Sequence, residues 1–467
     1  MEQYAQYYQF ILKKYGEKRN QDIDNYFIQN NNQNNILSQK IDTIREEFLN
    51  LDVYTIDPEG CIDADDGFSI EFIDNKMYLI IHIADPTHYI DYNSELWKDI
   101  EKRVLTHYPS NYDPIHMMPD EIMRKASLNE GIKNAISVFY EIDQNTFLPI
   151  NKEIKFTKLL LKKENNLSYK QASETQNYAI DIGLKISKNL KAERSKVTIG
   201  TKLSEVNLLI PKFKNKEICF EEFNKKIKDM KEMISEFAIL TNSFIGEFIK
   251  NNLNNNGIFR TCQANISPNE NLNGEKLLEK IINEGVSADY NSNNKSHDLV
   301  GTNIYCHFTS PIRRLADCIC HYLIKFYVTN TNIIWSKEQL TNYALLCFNK
   351  TKKEKKIQYS DHKFRLVQLI KKLLPENNIH IEFKITNYTG MFLNIMIYKL
   401  LVNDNEYTIN LSYTLRVFSD KYFSLISKID KIKINNVNPI GKFDQGSIVD
   451  LDNHIKKLIS ENNEIQI

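Results

Sequence analysis

A chain of 467 residues can bury cores for two or three domains, and its 60 basic and 60 acidic side chains cancel. That balance excludes whole-chain charge as a means of holding nucleic acid, so any polyanion must meet a local basic lining. The seven cysteines form no CxxC pair, which excludes a zinc ribbon and a disulfide framework and suits a reducing compartment. No basic-plus-apolar leader opens the chain and no apolar run reaches membrane length, so we expect a soluble, cytoplasmic protein without a membrane partner.

Residues 1–50 are polar, with an Asn- and Gln-rich patch at 29–35. Tyr7, Ile11, Leu12 and Tyr15 space one amphipathic helix, and 36–51 predicts a second. Strands and turns follow over 52–150. Phe68–Ile73 and Met77–Ile83, joined across Asp74-Asn-Lys76, read as a hairpin. Just before it, Asp57, Asp63, Asp65 and Asp66 stand in the pattern D-x5-D-x-D-D. Carboxylates so crowded repel unless they are solvated, protonated or neutralised by a cation. A calcium loop counted from Asp63 fails, because Gly67 and Phe68 occupy its fifth and sixth positions. An acidic surface loop is the plain alternative. Against it, Val53, Tyr54 and Ile56 lead in as a strand, which would hold the acids on a folded sheet. Such hard oxygen ligands suit Mg²⁺ and phosphodiester chemistry. His82 and His88 read as core or hydrogen-bonding histidines rather than ligands.

Residues 154–300 read as mostly helical, with Asn-rich loops at 251–256 and 291–294. In Tyr305-Cys-His-Phe-Thr-Ser-Pro-Ile-Arg-Arg-Leu-Ala-Asp317, Ser310 is a good N-cap and Pro311 fits the first helical position. Ile312, Leu315, Ala316, Ile319, Tyr322, Leu323 and Phe326 then predict a buried stripe. Arg313 and Arg314 would fall in the first helical turn, where cations gain nothing from the dipole but can bind phosphate with the free N–H groups. A surface Arg313–Asp317 pair is the alternative. Residues 335–374 predict another helix, whose lysine run at 350–356 is either a solvated face or a channel lining. After Pro375 five short strands, at 381–385, 392–400, 407–411, 423–426 and 432–435, fit a small barrel.

The aspartate run, Ile81-His-Ile-Ala-Asp-Pro-Thr-His-Tyr89, Ser127-Leu-Asn129 and Thr309-Ser-Pro-Ile-Arg-Arg314 together resemble the RNB family, which comprises ribonuclease II, ribonuclease R and the hydrolytic exosome subunit. The resemblance implies an α+β fold: an RNB catalytic domain at 51–374, a mixed β-sheet surrounded by helices, then an OB-like RNA-binding barrel at 375–467. Residues 1–50 form a short helical extension, too short for the paired cold-shock barrels that precede the domain in many relatives. The implied activity is Mg²⁺-dependent hydrolysis of single-stranded RNA from its 3′ end to nucleoside 5′-monophosphates. Asp57, Asp63, Asp65 and Asp66 would hold one or two Mg²⁺ ions, with Asp65 and Asp66 indispensable. Arg313 would clamp the phosphate, beside Ser310 and Arg314. By the same resemblance Tyr169 contacts the scissile phosphate and Glu236 the terminal ribose, while Tyr108 or Tyr112 stacks on the terminal base. A second stacking phenylalanine has no counterpart in Arg194-Ser-Lys-Val-Thr-Ile-Gly200. Two other classes stay open: a catalytically silent RNA-binding scaffold of this fold, and a nuclease restricted to DNA or short oligonucleotides.

Overall fold

The computed structural model describes residues 2–373 except 17, 32–34, 111, 215–216, 221–223, 265 and 268, and beyond them 379–389, 392–403, 405–416, 432–435, 441–442 and 447–448. The N-terminal helices are α1 (Glu2–Tyr15), α2 (Gln21–Gln29) and α3 (Ile36–Asp42). The expected second helix therefore stops early, and Glu46–Phe48 become an edge strand, β1. The reason is Arg45, whose guanidinium donates to Ala135 O at 3.1 Å and Thr157 O at 2.9 Å, tying the chain to the sheet. Next come β2 (Thr55–Asp57), β3 (Asp66–Ile73) and β4 (Lys76–Ala84). The expected hairpin is present with register Ile73↔Lys76. Asp74 and Asn75 both take positive φ, 50° and 61°, the conformation that a two-residue turn between right-twisted strands requires.

After α4 (Glu95–Arg103) and α5 (Asp120–Ala126), the long strands β5 (Gly131–Ile142) and β6 (Pro149–Leu161) complete a five-stranded sheet of order β1-β6-β5-β4-β3. β1 runs parallel to β6 and the other pairs are antiparallel. Residues 154–161 are thus strand rather than helix, because pairing with β5 outweighs local preference. β4 is apolar on both faces and lies inside the sheet. Its His82 is fully buried between the hydroxyls of Ser69, at 3.1 Å, and Ser137, at 2.7 Å, and so is a core histidine.

A short strand, β7 (Asn166–Ser168), pairs in parallel with β2 and leads into α6 (Tyr169–Glu174) and α7 (Tyr178–Ser195). The hairpin β8 (Pro211–Lys214) and β9 (Glu217–Phe220) precedes α8 (Lys225–Asn252), whose Phe237 ring packs 5.4 Å from Phe68 of β3. Then follow β10 (Phe259–Thr261), α9 (Gly274–Asn283), β11 (Asp289–Asn291), α10 (Leu315–Val328) and α11 (Lys337–Leu373), the last close to the predicted span. Every residue of the stripe predicted for α10 is buried. Beyond α11, β12 (Ile379–Thr389), β13 (Phe392–Val402), β14 (Asn405–Arg416) and β15 (Ile432–Asn435) form an antiparallel sheet of order β14-β13-β12-β15. The strand expected at 423–426 lies outside the described residues. No helix among them is long and apolar enough to cross a membrane.

A fully buried ion pair fixes α10 to the segment after β4. Lys325 Nζ donates to Asp85 Oδ1 at 2.6 Å and to Thr87 Oγ1 at 2.9 Å, and Arg45 reaches Asp85 Oδ2 at 3.0 Å. Burial alone would raise the Asp85 carboxyl, but Lys325 and Arg45 together hold it well below the carboxylate range. Removing one partner strands a charge in the core. Lys325→Met should therefore cost about 3 kcal/mol in urea denaturation; a loss below ~0.5 kcal/mol would show that Arg45 alone satisfies Asp85.

Candidate active site

The four aspartates occupy the end of β2, the turn after it and the first residue of β3. Glycine at 67 lets that turn close: a Cβ there would sit 3.0 Å from Tyr54 O and 3.2 Å from Val53 Cγ1. The Ser127–Asn129 step braces the turn from outside. Ser127 Oγ accepts from Ala64 N–H at 3.0 Å, Leu128 N–H donates to Ala64 O at 3.0 Å, and Asn129 Nδ2 donates to Ile62 O at 3.0 Å.

The second motif arrives directly on the quartet. Arg313 Nε donates to Asp65 Oδ2 at 3.0 Å, and the Ile312 N–H donates to Asp65 Oδ1 at 2.7 Å. These bonds correct the expected helix start. α10 begins at Leu315, Arg314 takes extended backbone as its cap residue, and Ser310 is not the N-cap. The Arg313 carbonyl accepts from Thr106 N–H and the Val104 carbonyl from Leu315 N–H, so residues 313–315 pair with 104–106 instead of coiling. Both arginines therefore precede the helix. Ser310 Oγ accepts from Arg313 Nη2 at 3.0 Å, and Arg314 Nη2 donates to Asp317 Oδ1 at 2.8 Å. The surface pair envisaged for Arg313 and Asp317 is not formed: Asp317 is fully buried and pairs with Arg314.

The acids divide into two kinds. Asp65 is occupied by Arg313, and Asp63 Oδ2 accepts from the Tyr108 hydroxyl at 2.5 Å. The Cys61 thiol donates to Asp63 Oδ1 at 3.5 Å and also bears on Asp57, and Asp66 accepts no side-chain hydrogen bond among the described residues. Burial, then Asp65 and Asp63, push the Asp57 carboxyl up to about 6, and burial with Asp57 pushes Asp66 up to about 7. At Asp65 burial outweighs the pull of Arg313 and the Ile312 amide and pushes the carboxyl up to about 8. Among the described residues no three His, Cys, Asp or Glu side chains converge as a ready-made metal cage. Protein donors engage Asp65 and Asp63 and leave Asp57 and Asp66 the more open pair. The open pair, Asp57 and Asp66, fits a hard divalent cation that completes its shell with water and substrate oxygens.

Tyr169 opens α6 beside this pair. Asp57 is in register with Ser168 on β7, and burial, then Asp66 and Asp57, raise the Tyr169 phenol. Lys231 Nζ lies 5.6 Å from the Tyr169 ring centroid, a neighbour that no sequence spacing announced. Of the two tyrosines considered for stacking, Tyr108 is the one that reaches the quartet. Tyr112 is exposed, and its N–H donates to Pro109 O at 3.3 Å. Glu236 is not a free ligand for ribose. It is 5% exposed, and Arg194 holds both its oxygens, Nε to Oε2 at 2.9 Å and Nη2 to Oε1 at 2.5 Å. Sequence reading singled out Glu236 but gave Arg194 no role.

Asp57 and Asp66 bind protons more tightly folded than unfolded, where an aspartate titrates near 3.9. Asp65 adds to them, and the joint contribution to stability is complete below about pH 4 and is lost as pH rises through 6, 7 and 8. In chelator the melting temperature should fall by ~5 °C between about pH 5 and pH 8, allowing for solvent screening. Asp66→Asn should shrink that fall, and scanning calorimetry showing an identical slope in the variant would contradict the assignment.

The RNB domain, as a family description, matches residues 45–330. DIS3-like exonuclease 2 of Schizosaccharomyces pombe is 27% identical over 384 residues, covering 67% of this chain and 40% of that protein. The chain thus spans well under two thirds of that relative's length. Mycoplasma genitalium RNase R in complex with ribose methylated single-stranded RNA superposes with a TM-score of 0.68 at 15% identity, over 89% of this chain and 76% of that one. Yeast Ssd1, a pseudonuclease, superposes with a TM-score of 0.62 at 15% identity, over 80% of this chain and 52% of its own. At such identities structural likeness shows the fold alone. The family match extends over more than half of the sequence and takes in both the quartet and Arg313, and the chain therefore belongs to the RNB domain family.

Proposed function

We propose that this chain is a divalent-metal-dependent exoribonuclease, degrading single-stranded RNA from its 3′ end to nucleoside 5′-monophosphates. The observation that carries this reading is the 3.0 Å contact between Arg313 Nε and Asp65 Oδ2. It brings a phosphate-binding cation from the latter half of the chain onto an acidic cluster from the front. A relative named as an exonuclease and a structural neighbour holding single-stranded RNA support the same reading.

Asp57 and Asp66 would hold Mg²⁺. Bound there, the ion supplies charge stabilisation at the phosphate and a water activated for attack. The remaining work falls to the chain. Asp65 and Ser310 fix two sides of the Arg313 guanidinium, leaving its other donors to clamp a phosphate and offset charge that grows in the transition state. Tyr108, tethered through its hydroxyl to Asp63, holds its ring in place as a base platform that accepts any base. Tyr169 would contact the scissile phosphate, and Lys231 beside it adds positive charge. In this reading 1–50 is an extension, 51–374 the catalytic domain, and the C-terminal sheet part of an OB-like RNA-binding domain at 375–467. A cytoplasmic setting agrees with seven free cysteines.

A silent RNA-binding scaffold is the second reading, favoured by the pseudonuclease neighbour and by Glu236 being closed off by Arg194. Labelled RNA and DNA of several lengths, with Mg²⁺ present or chelated, separate the two. Mononucleotide release from RNA only, abolished by chelation, is the expected result. Asp66→Asn should slow release at least ~100-fold while RNA affinity stays within about threefold. Release that persists in chelator or in the variant would overturn the proposal.

A further inference from the structure

Behind the wall made by Tyr108 and Arg313 lies a cavity of about 230 Å³. α11 closes its far side with Glu354 and Lys355, and Tyr290 and Arg314 line it between. The charges around it do not balance. Glu354 is taken by His107 at 2.6 Å, and Asp317 by Arg314 and the Ser310 N–H, each at 2.8 Å. The Nε of Arg314 and the Oδ2 of Asp317 are both buried with no hydrogen-bond partner. Lys355, exposed on α11 beside Glu354, has no carboxylate within ion-pair distance among the described residues, and Asp289 acts on it only through its charge. Arg260, 7% exposed, lies 4.6 Å over the Tyr290 ring and likewise has no ion pair among the described residues. The Tyr290 ring is itself fixed, its hydroxyl meeting His307 Nδ1 at 2.6 Å. Burial and Arg260 lower the Lys355 amine, as expected where positive charge lacks a counter-ion. The unused Arg314 Nε and the unpaired Lys355 amine are donors that an anionic ligand in this half-open cavity would satisfy.

We infer that this cavity binds a phosphate monoester, taking one nucleoside monophosphate with its phosphate against Arg314 and Lys355 and its base against Tyr290. The nucleotide identity rests on the proposed nuclease reading, since the cavity shares Tyr108 and Arg313 with the acidic site; the phosphate chemistry stands without it. A nucleotide held there occupies a site next to the one that generates it, so the product restrains the reaction.

Isothermal titration of the full chain in chelator, with AMP, orthophosphate and adenosine as probes, tests this directly. AMP should bind, and adenosine at least about tenfold more weakly. Lys355→Gln, on the solvent-facing side of α11, should weaken AMP at least about tenfold, whereas Lys350→Gln, outside the cavity, should change it less than about twofold. No AMP binding, or binding indifferent to Lys355→Gln, would overturn the inference. Orthophosphate binding as tightly as AMP would remove the nucleotide from it. The failures are distinguishable: a chain that binds AMP through Lys355 but releases no mononucleotide defeats the nuclease reading alone. An active chain that binds no AMP defeats this one alone.

Discussion

The Asp65–Arg313 contact is the constraint on which the rest of the site depends. Its partners are 248 residues apart in sequence and 3.0 Å apart in space. Asp65 does two jobs with its two oxygens. One orients the guanidinium; the other takes the Ile312 amide in the segment that leads into α10. The contact therefore sets where α10 begins as well as where Arg313 points. Because α10 is buried on every side and held by the Lys325–Asp85 pair, the arginine is presented from a rigid element, as precise positioning of a phosphate demands.

The same contact gives the acidic cluster its division of labour. Four carboxylates on one turn would be unstable if all stayed ionised without partners. Arg313 pairs with one of them and the Tyr108 hydroxyl bonds another, yet burial still raises the carboxyls of Asp57, Asp65 and Asp66. A cation is the ligand that the open pair, Asp57 and Asp66, lacks. The imbalance has an opposite counterpart behind the arginine wall, where Arg260, Arg314 and Lys355 want an anion. A site with a cation-seeking front and an anion-seeking back is organised around phosphate from both directions.

Much of this was legible in the sequence where local pattern and tertiary structure agree. The hairpin at 66–84, the buried stripe of α10 and the length of α11 follow from periodicity and turn chemistry alone. The misreadings arose where a long-range partner won over local preference. Pro311 after Ser310 reads as a helix start, but strand-like pairing of 313–315 with 104–106 and the pull of Asp65 delay the helix to Leu315. Residues 154–161 carry no decisive strand pattern, and their state is set by β5 alongside. Arg194 and Glu236 lie 42 residues apart on different helices, and no spacing rule links them. The quartet was found as a set, yet its division into occupied and open acids depends on Tyr108 and Arg313, which only the fold brings near.

The measurement that bears most directly on this account is a Mn²⁺ titration, followed by electron paramagnetic resonance, of four chains each carrying one Asp→Asn change at position 57, 63, 65 or 66. The account predicts that Asp57→Asn and Asp66→Asn lose at least about tenfold in Mn²⁺ affinity, while Asp63→Asn and Asp65→Asn stay close to the parent. Loss of the ion in Asp65→Asn with full retention in Asp66→Asn would contradict it.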